Sequence, residues 1–292
     1  MSVCVLTGAS GFLGSAIRRK ASPEVLFCAD AVSADPDVQA IDLLDKDAPA
    51  HLPDRIDEVI HLAAISSDPA CRANPLLAWE MNLLATLRLY EAAAARGCRK
   101  FLFSSTEWVY GDTAGIRKES DPLSVENLGV YALTKLAAER ALLQIEKPGC
   151  EVLILRLAIL YGPRKTGFSA VESIIHRVME DTPVEVQSGK TARCYLHVED
   201  AAEAFLLAQK TELRGVRNLT GPDLVTLADV FETACAVTGT RPPFVEKNPA
   251  VMTVRELDGT PLWNELHWRP RRLRGGVEDL LAHFQKNRKR EV

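Results

Sequence analysis

Short apolar runs alternate with stretches of helical period along the first half of this chain. Val3-Cys4-Val5-Leu6 is one such run, and residues 15–20 read as the opening turns of a helix. By the same criteria, buried strands are expected at residues 24–30, 38–43, 57–64, 98–106 and 152–157. Helical periods fill 75–96 and 131–146, and Pro148-Gly149 stops the second. Strand and helix alternating in this way predict an α/β fold, a Rossmann-type doubly wound parallel sheet covered on both faces. Beyond Pro163 the pattern loosens. Helices are expected at 171–180, 199–209, 227–238 and 277–285, with short strands at 184–186 and 217–220. The expected division is a first domain of residues 1–163 joined by about 195–212. Residues 164–194 and 213–292 then form a small C-terminal α/β lobe.

The helix over 75–96 carries Leu77, Met81, Leu84, Leu87, Leu89 and Tyr90, an apolar stripe wider than one face. Two readings fit it: contact with a second subunit, or burial within one chain.

Composition narrows the class without fixing the chemistry. The chain has 292 residues, 25% charged and 47% hydrophobic, the balance of a globular protein. A net charge of −4 supplies no global attraction to nucleic acid or anionic membrane. No apolar run reaches membrane-span length, and no signal-peptide pattern opens the chain. The seven cysteines are scattered without CxxC spacing, which fits buried thiols in a reducing cytoplasm. The six histidines are equally dispersed, so no metal site is expected. The basic end, 286–290, reads as a solvated tail.

Candidate chemistry begins where the first strand meets glycines at 8, 11 and 14. A strand, a glycine turn and a helix N-terminus form a phosphate site, because backbone N–H groups and the helix dipole favour negative charge. The second strand ends in Asp30, placed to hydrogen-bond an adenosine ribose; the alternative is a loop aspartate capping the next turn. No Lys or Arg occurs between Glu24 and Lys46, so NAD is expected over NADP. His61 reads as a packed strand histidine rather than a ligand or base. Tyr131 and Lys135 lie one turn apart on the same helix face.

Several motifs together resemble the extended short-chain dehydrogenase/reductases, the NAD-dependent epimerase/dehydratase group that acts mainly on nucleotide sugars. They are Thr7-Gly8-x-x-Gly11-x-x-Gly14, Asp57-x-Val-Ile-His-Leu-Ala-Ala64 and Ser104-Ser105-Thr106-x-x-Val109-Tyr110-Gly111. Tyr131-x-x-x-Lys135, Arg156-x5-Gly162-Pro163 and Arg193-x3-His197-Val198-x-Asp200 complete the set. The resemblance implies NAD as cofactor, with Gly8, Ser10, Gly11, Phe12, Leu13 and Gly14 around the pyrophosphate. It assigns Asp30 to the ribose, Asp42 and Leu43 to the adenine edge, and Leu62, Ala63, Ala64 and Ser104 to the cofactor's border, with Asn82 supporting the nearby backbone. Tyr131 becomes the acid/base, its phenol lowered in pKa by Lys135 and the positive nicotinamide, and Thr106 bonds the reacting oxygen. Ser66, Ser105, Thr106, Ile159 and Arg193 face the substrate, Arg193 pairing with a diphosphate.

The chain departs from the family pattern at two places. Ile159 stands where 4-epimerases carry an asparagine that helps bind the substrate phosphate. Glu107-Trp108 stands where 4,6-dehydratases carry an acid and a base; Glu107 can replace the acid, but Trp108 cannot be the base. The implied function is an NAD-dependent sugar or nucleotide-sugar epimerase/oxidoreductase, working as a homodimer. The alternatives are a ketone reductase or alcohol dehydrogenase on a non-nucleotide small molecule, and a catalytically silent NAD-binding regulator.

Overall fold

The computed structural model describes residues 2–22, 26–112, 115–145, 147–164 and 169–291. Of the expected second strand, residues 24 and 25 lie outside the described residues, as does Glu146 at the end of the second long helix. The strands in chain order are β1 (Cys4–Thr7), β2 (Leu26–Asp30), β3 (Gln39–Ala40), β4 (Glu58–His61), β5 (Lys100–Thr106), β6 (Ile116–Arg117), β7 (Glu151–Leu157) and β8 (Leu160–Tyr161). They continue as β9 (Val184–Val186), β10 (Ala192–Arg193), β11 (Leu196–His197), β12 (Gly215–Leu219), β13 (Val225–Thr226), β14 (Phe244–Glu246) and β15 (Val254–Leu257). The helices are α1 (Phe12–Lys20), α2 (Asp68–Ala73), α3 (Pro75–Trp79), α4 (Thr86–Ala95) and α5 (Val130–Ile145). After them come α6 (Ala170–Met179), α7 (Val198–Gln209), α8 (Leu227–Thr238), α9 (Thr260–Glu265) and α10 (Leu273–Glu291).

The chain forms two compact units. The first comprises Met1–Gly111, Glu119–Leu157 and Ala202–Asn218. Its seven-stranded sheet has the order β12-β7-β5-β4-β1-β2-β3. The pairs from β7 through β3 are parallel. All four residues of β1 are buried, and β5 and β7 are buried on both faces. That is why these strands read as continuous apolar runs rather than as alternation. Val5, Val59, Tyr90, Phe101, Phe103, Leu142 and Ile154 form the core beneath one face. Strand order reverses at β1, between β2 and β4, and such a switch point opens a crevice at the strand C-termini. Gly8 lies there with φ +69°, and a Cβ on it would come within 2.8 Å of Ala63 N. No other residue fits that turn.

The second unit comprises Asp112–Lys118, Ala158–Ala201 and Leu219–Val292. It holds a four-stranded sheet, β13-β10-β15-β6, and a core of Tyr161, Ile175, Val230, Phe231 and Leu280. These units divide the chain differently from the expected domains. β6 pairs with β15, which draws 112–118 into the second unit, while β12 sits beside β7 and draws 213–218 into the first.

Three local expectations need correction. The strand expected over 38–43 shrinks to Gln39–Ala40, because Asp42 starts a turn, its carboxylate accepting from Leu44 N at 3.0 Å. The helix expected over 75–96 is interrupted by a π-helical turn, Glu80–Ala85. The last helix runs over Leu273–Glu291 rather than 277–285, so the basic end is helical. Its two glycines do not break it. Gly276 is needed because a Cβ there would lie 1.9 Å from the Tyr161 hydroxyl.

A buried ion pair joins α5 to the sheet. Arg156 Nη2 lies 2.7 Å from Glu139, both side chains are 1% exposed, and Arg156 Nη1 donates to Tyr110 Oη at 2.9 Å. Removing one partner strands the other charge in a dry interior. Glu139→Ala is expected to lower stability by about 3–5 kcal/mol in chemical denaturation. A loss below about 1 kcal/mol, the scale of an exposed pair, contradicts this account of the pair.

Candidate active site

Parallel strands deliver their C-terminal ends to one edge of the first unit's sheet, and the sequence motifs arrive there in order. β1 runs into Gly8, and Gly11 is the cap residue of α1 with no side-chain hydrogen bond to the helix. A Cβ on Gly14 would fall 2.1 Å from Gly8 O, so the helix packs directly on the turn. Leu13 is buried and Phe12 half-buried, while Ser10 and Gly11 are exposed. Backbone N–H groups at an uncapped helix start, reached by a turn without side chains, fit a pyrophosphate.

Asp30 ends β2 and grips the same turn: its carboxylate accepts from Ser10 N at 2.9 Å and from Ala31 N at 2.8 Å. The sequence window beside it held no cation, but the structure brings one from α1. Arg18 pairs with Asp35 at 2.8 Å, and the Asp35 hydrogen bond and charge hold its guanidinium above the ordinary range. The Arg18 charge is thereby paired with Asp35, and Asp37 adds a second negative charge beside it. Asp42 is exposed, but the Leu43 side chain is 6% exposed in the core, leaving only its backbone for any adenine contact.

At β4, His61 is fully buried between two hydroxyls, Thr7 Oγ1 at 2.6 Å and Thr86 Oγ1 at 2.8 Å. Thr86 donates to Asn82 O, so it accepts from His61 Nε2, and Thr7 donates to Nδ1. Burial and the Lys135 charge push the imidazole down to about 3. The packed-histidine reading is the one found. Past β4, Leu62, Ala63 and Ala64 are half-buried and Ser66 is exposed. The Asn82 side chain bonds both backbone groups of Ile65, at 2.8 and 3.1 Å, and donates to Thr134 Oγ1 at 3.0 Å. Asn82 lies in the π-helical turn, a distortion that tends to mark functional segments.

β5 ends in Thr106, whose hydroxyl accepts from Trp108 N at 3.3 Å and lies near enough to the Tyr131 phenol to favour its ionised form. Ser104 donates to His61 O at 3.1 Å. Ser105, expected at the substrate, is 3% exposed and donates to Glu139 instead. Strand alternation turns it to the face opposite Thr106. Glu107 is buried at 1% exposure, and Trp108 is 42% exposed.

α5 presents Tyr131, Lys135 and Glu139 at successive turns. Tyr131 is half-buried, and desolvation pushes its phenol up to about 12 against the Thr106 hydrogen bond. Lys135 is 1% exposed with Nζ 4.1 Å from the centre of the Phe103 ring. Burial drives its ammonium down to about 7, against the pull of Glu139. The expected lowering of the Tyr131 pKa is therefore not a property of the chain alone. Burial of the phenol raises that pKa with only the Thr106 hydroxyl opposing, and Lys135 is itself poised to lose its charge near neutrality.

Ile159 and Arg193 belong to the second unit. Ile159 packs against that unit's core. Arg193 is 7% exposed and donates to Ala192 O at 2.7 Å, Thr253 O at 2.8 Å and Thr253 Oγ1 at 3.2 Å. Sequence reasoning missed Arg255, which stands opposite Arg193 in the β10–β15 register at 8% exposure and pairs with Asp112. A recess of about 420 Å³ in the same unit is lined by Ile174, Val184, Gln187, Leu227 and Lys247. Among the described residues no cluster has the make-up of a metal site, and no helix is long and apolar enough to cross a membrane.

The Lys135 shift has a consequence for stability. Between pH 7 and 10.5 the unfolded chain binds a proton at Lys135 that the folded chain does not. Stability contributed by this group is therefore flat below pH 7 and rises with pH toward 10.5. Denaturation of wild type against Lys135→Met across that range is expected to show this rise in the difference. A difference that falls with pH contradicts it.

Comparison with known proteins identifies the family of the chain. Residues 4–218 match the NAD dependent epimerase/dehydratase family. The chain is 27% identical over 251 residues to a UDP-N-acetyl-alpha-D-glucosaminuronate decarboxylase of Bacillus cytotoxicus, covering 78% of each chain. Among solved structures, MoeE5 in complex with UDP-glucuronic acid and NAD superposes with TM-score 0.84 at 25% identity, over 98% of this chain and 100% of that one. UDP-glucose 4-epimerase of Thermus thermophilus in complex with NAD gives TM-score 0.83 at 26% identity, over 97% and 98%. A glycine turn at the strand-order switch, an acid ending β2 and the Thr106, Tyr131 and Lys135 set are thus met together with a family match over most of the chain, which belongs to the NAD dependent epimerase/dehydratase family.

Proposed function

We propose that this protein binds NAD and moves hydride to and from a nucleotide-sugar carbon, with an epimer as the favoured product. The observation that carries the reading is the placement of Thr106 at the end of β5 and Tyr131 at the start of α5, close enough for the Thr106 hydroxyl to oppose the rise in the phenol pKa, with Lys135 one turn below Tyr131. Bound NAD supplies the hydride acceptor. Gly8, Ser10, Gly11, Phe12, Leu13 and Gly14 hold its pyrophosphate, and Asp30 its ribose. Ala63, Ala64, Ser104 and Asn82 shape its bed.

Thr106 and Tyr131 bond the substrate hydroxyl, and the Tyr131 phenolate, once formed, takes its proton as the C–H bond opens. A phenol near 12 is a reluctant acid at neutral pH. Lys135 one turn below, when charged, and the positive charge that an oxidised nicotinamide ring would bring both favour the phenolate. Bound cofactor would supply the hydride for re-reduction from the opposite face, which is the outcome that makes an epimer. Trp108 has no titratable group, which disfavours water elimination.

In the second unit, the buried Arg193 and Arg255 stand side by side on parallel strands and suit a diphosphate. The recess beside Val184 and Leu227 suits a nucleobase. Ile159 favours a second reading, a reductase of a non-nucleotide ketone, because it puts an apolar side chain where a phosphate contact is expected. A homodimer belongs to the same proposal. Leu77 and Leu84 remain 37% and 45% exposed, so burial within one chain covers only part of the stripe. A cytoplasmic setting fits the seven buried free cysteines.

Incubation with NAD and UDP-glucose, UDP-glucuronic acid or UDP-N-acetylglucosamine is expected to yield an epimer, detected by NMR. Tyr131→Phe is expected to cut the rate by about 10²–10⁴. Full turnover by that variant removes Tyr131 as the acid/base, and turnover of free ketones alone favours the second reading. By calorimetry NAD is expected to bind at least about tenfold more tightly than NADP, because a 2′-phosphate would meet Asp30 with Arg18 already paired. Equal binding contradicts the role given to Asp30.

A further inference from the structure

α5 lacks an N-cap side chain of its own. Gly129 occupies the cap position, its carbonyl accepting the first helical bond from Leu133 N at 2.9 Å. A glycine there leaves the first N–H groups of the helix without a side-chain acceptor. Asp68, which opens α2 far back in the chain, supplies one. Its Oδ1 accepts from Tyr131 N at 3.2 Å, and its other oxygen takes Arg72 Nε. The Arg72 hydrogen bond, with the N–H groups of Tyr131 and Val130, holds the Asp68 carboxyl below its usual range, so it stays ionised as an acceptor.

Gly129 is shaped to this contact. A Cβ on it would lie 2.2 Å from Asp68 Oδ1, so any side chain at 129 displaces the carboxylate. The carbonyl side of Tyr131 is also held. Thr134 donates to Tyr131 O at 2.8 Å and accepts from Asn82. The Tyr131 backbone is thus gripped at its N–H by Asp68 and at its carbonyl through Thr134.

We infer that Asp68 is a positioning residue for Tyr131: its carboxylate caps α5 across a gap in sequence and sets the phenol against Thr106. The inference deepens the proposed hydride-transfer reading, on which its catalytic consequence rests. Without the acceptor the first turn of α5 frays and the Tyr131 phenol loses its fixed place beside Thr106. Asparagine keeps an oxygen acceptor at the same position and retains the cap. Alanine at 129 expels the carboxylate while leaving Asp68 in the chain.

The test is an ultraviolet difference titration of the Tyr131 phenol, taking each variant against the same variant carrying Tyr131→Phe. Wild type and Asp68→Asn are expected to titrate near 12, and Asp68→Ala and Gly129→Ala to shift toward the ordinary 10 as the phenol meets water. With UDP-glucose and NAD, kcat of the two alanine variants is expected to fall at least about tenfold with KM within about twofold, and Asp68→Asn to recover it. An unshifted titration in Asp68→Ala, or an Asp68→Asn titration as displaced as that of alanine, overturns the inference. If wild type turns over no nucleotide sugar, the functional reading fails while the titration still decides Asp68.

Discussion

α5 must bury two charged side chains to bring Tyr131 to Thr106, and much of the first unit is arranged around that requirement. Glu139 is accommodated by Arg156 and Ser105, and Arg156 in turn by Tyr110, whose hydroxyl donates to Asn218 at 2.7 Å. Lys135 has the aromatic face of Phe103 beneath its ammonium. The ion pair fixes the helix against β5 and β7, and Lys135 absorbs the desolvation as a depressed pKa. A group poised near 7 in a dry interior responds to any new charge placed beside it.

Across the sheet the constraint is steric rather than electrostatic. Just past the ends of β1 and β4, the backbone of Ala63 lies so near Gly8 that a Cβ there would come within 2.8 Å of its nitrogen. Thr7, His61, Thr86 and Asn82 O then form a chain of hydrogen bonds beneath that junction with no charge in it. The imidazole stays neutral far below neutrality, so this support does not titrate with the groups above it.

Much of this was legible in the sequence, and the failures have physical causes. Buried parallel strands and the glycine turn declare themselves as apolar runs and punctuation. Helical period placed Tyr131 and Lys135 on one face. That period did not locate the π-helical turn that aims Asn82 at Ile65, because the phase shift it introduces shows in the sequence only as an apolar stripe wider than one face. Alternation along β5 already separated Ser105 from Thr106, and the motif obscured it. Asp68 carried no signal, since a cap supplied from another element has no fixed spacing. The two-residue strands of the second unit are too short for any period, and Gly276 reads as a helix breaker until Tyr161 is seen against it.

The central claim is that the chain positions Tyr131 as the proton-transfer group but leaves it a weak acid until oxidised cofactor binds. The most direct measurement is the Tyr131 phenol titration in wild-type protein with and without saturating NAD, each corrected with Tyr131→Phe. The account predicts titration near 12 in the free protein and a clear fall when NAD is bound. A titration that NAD leaves unmoved, or moves upward, contradicts it.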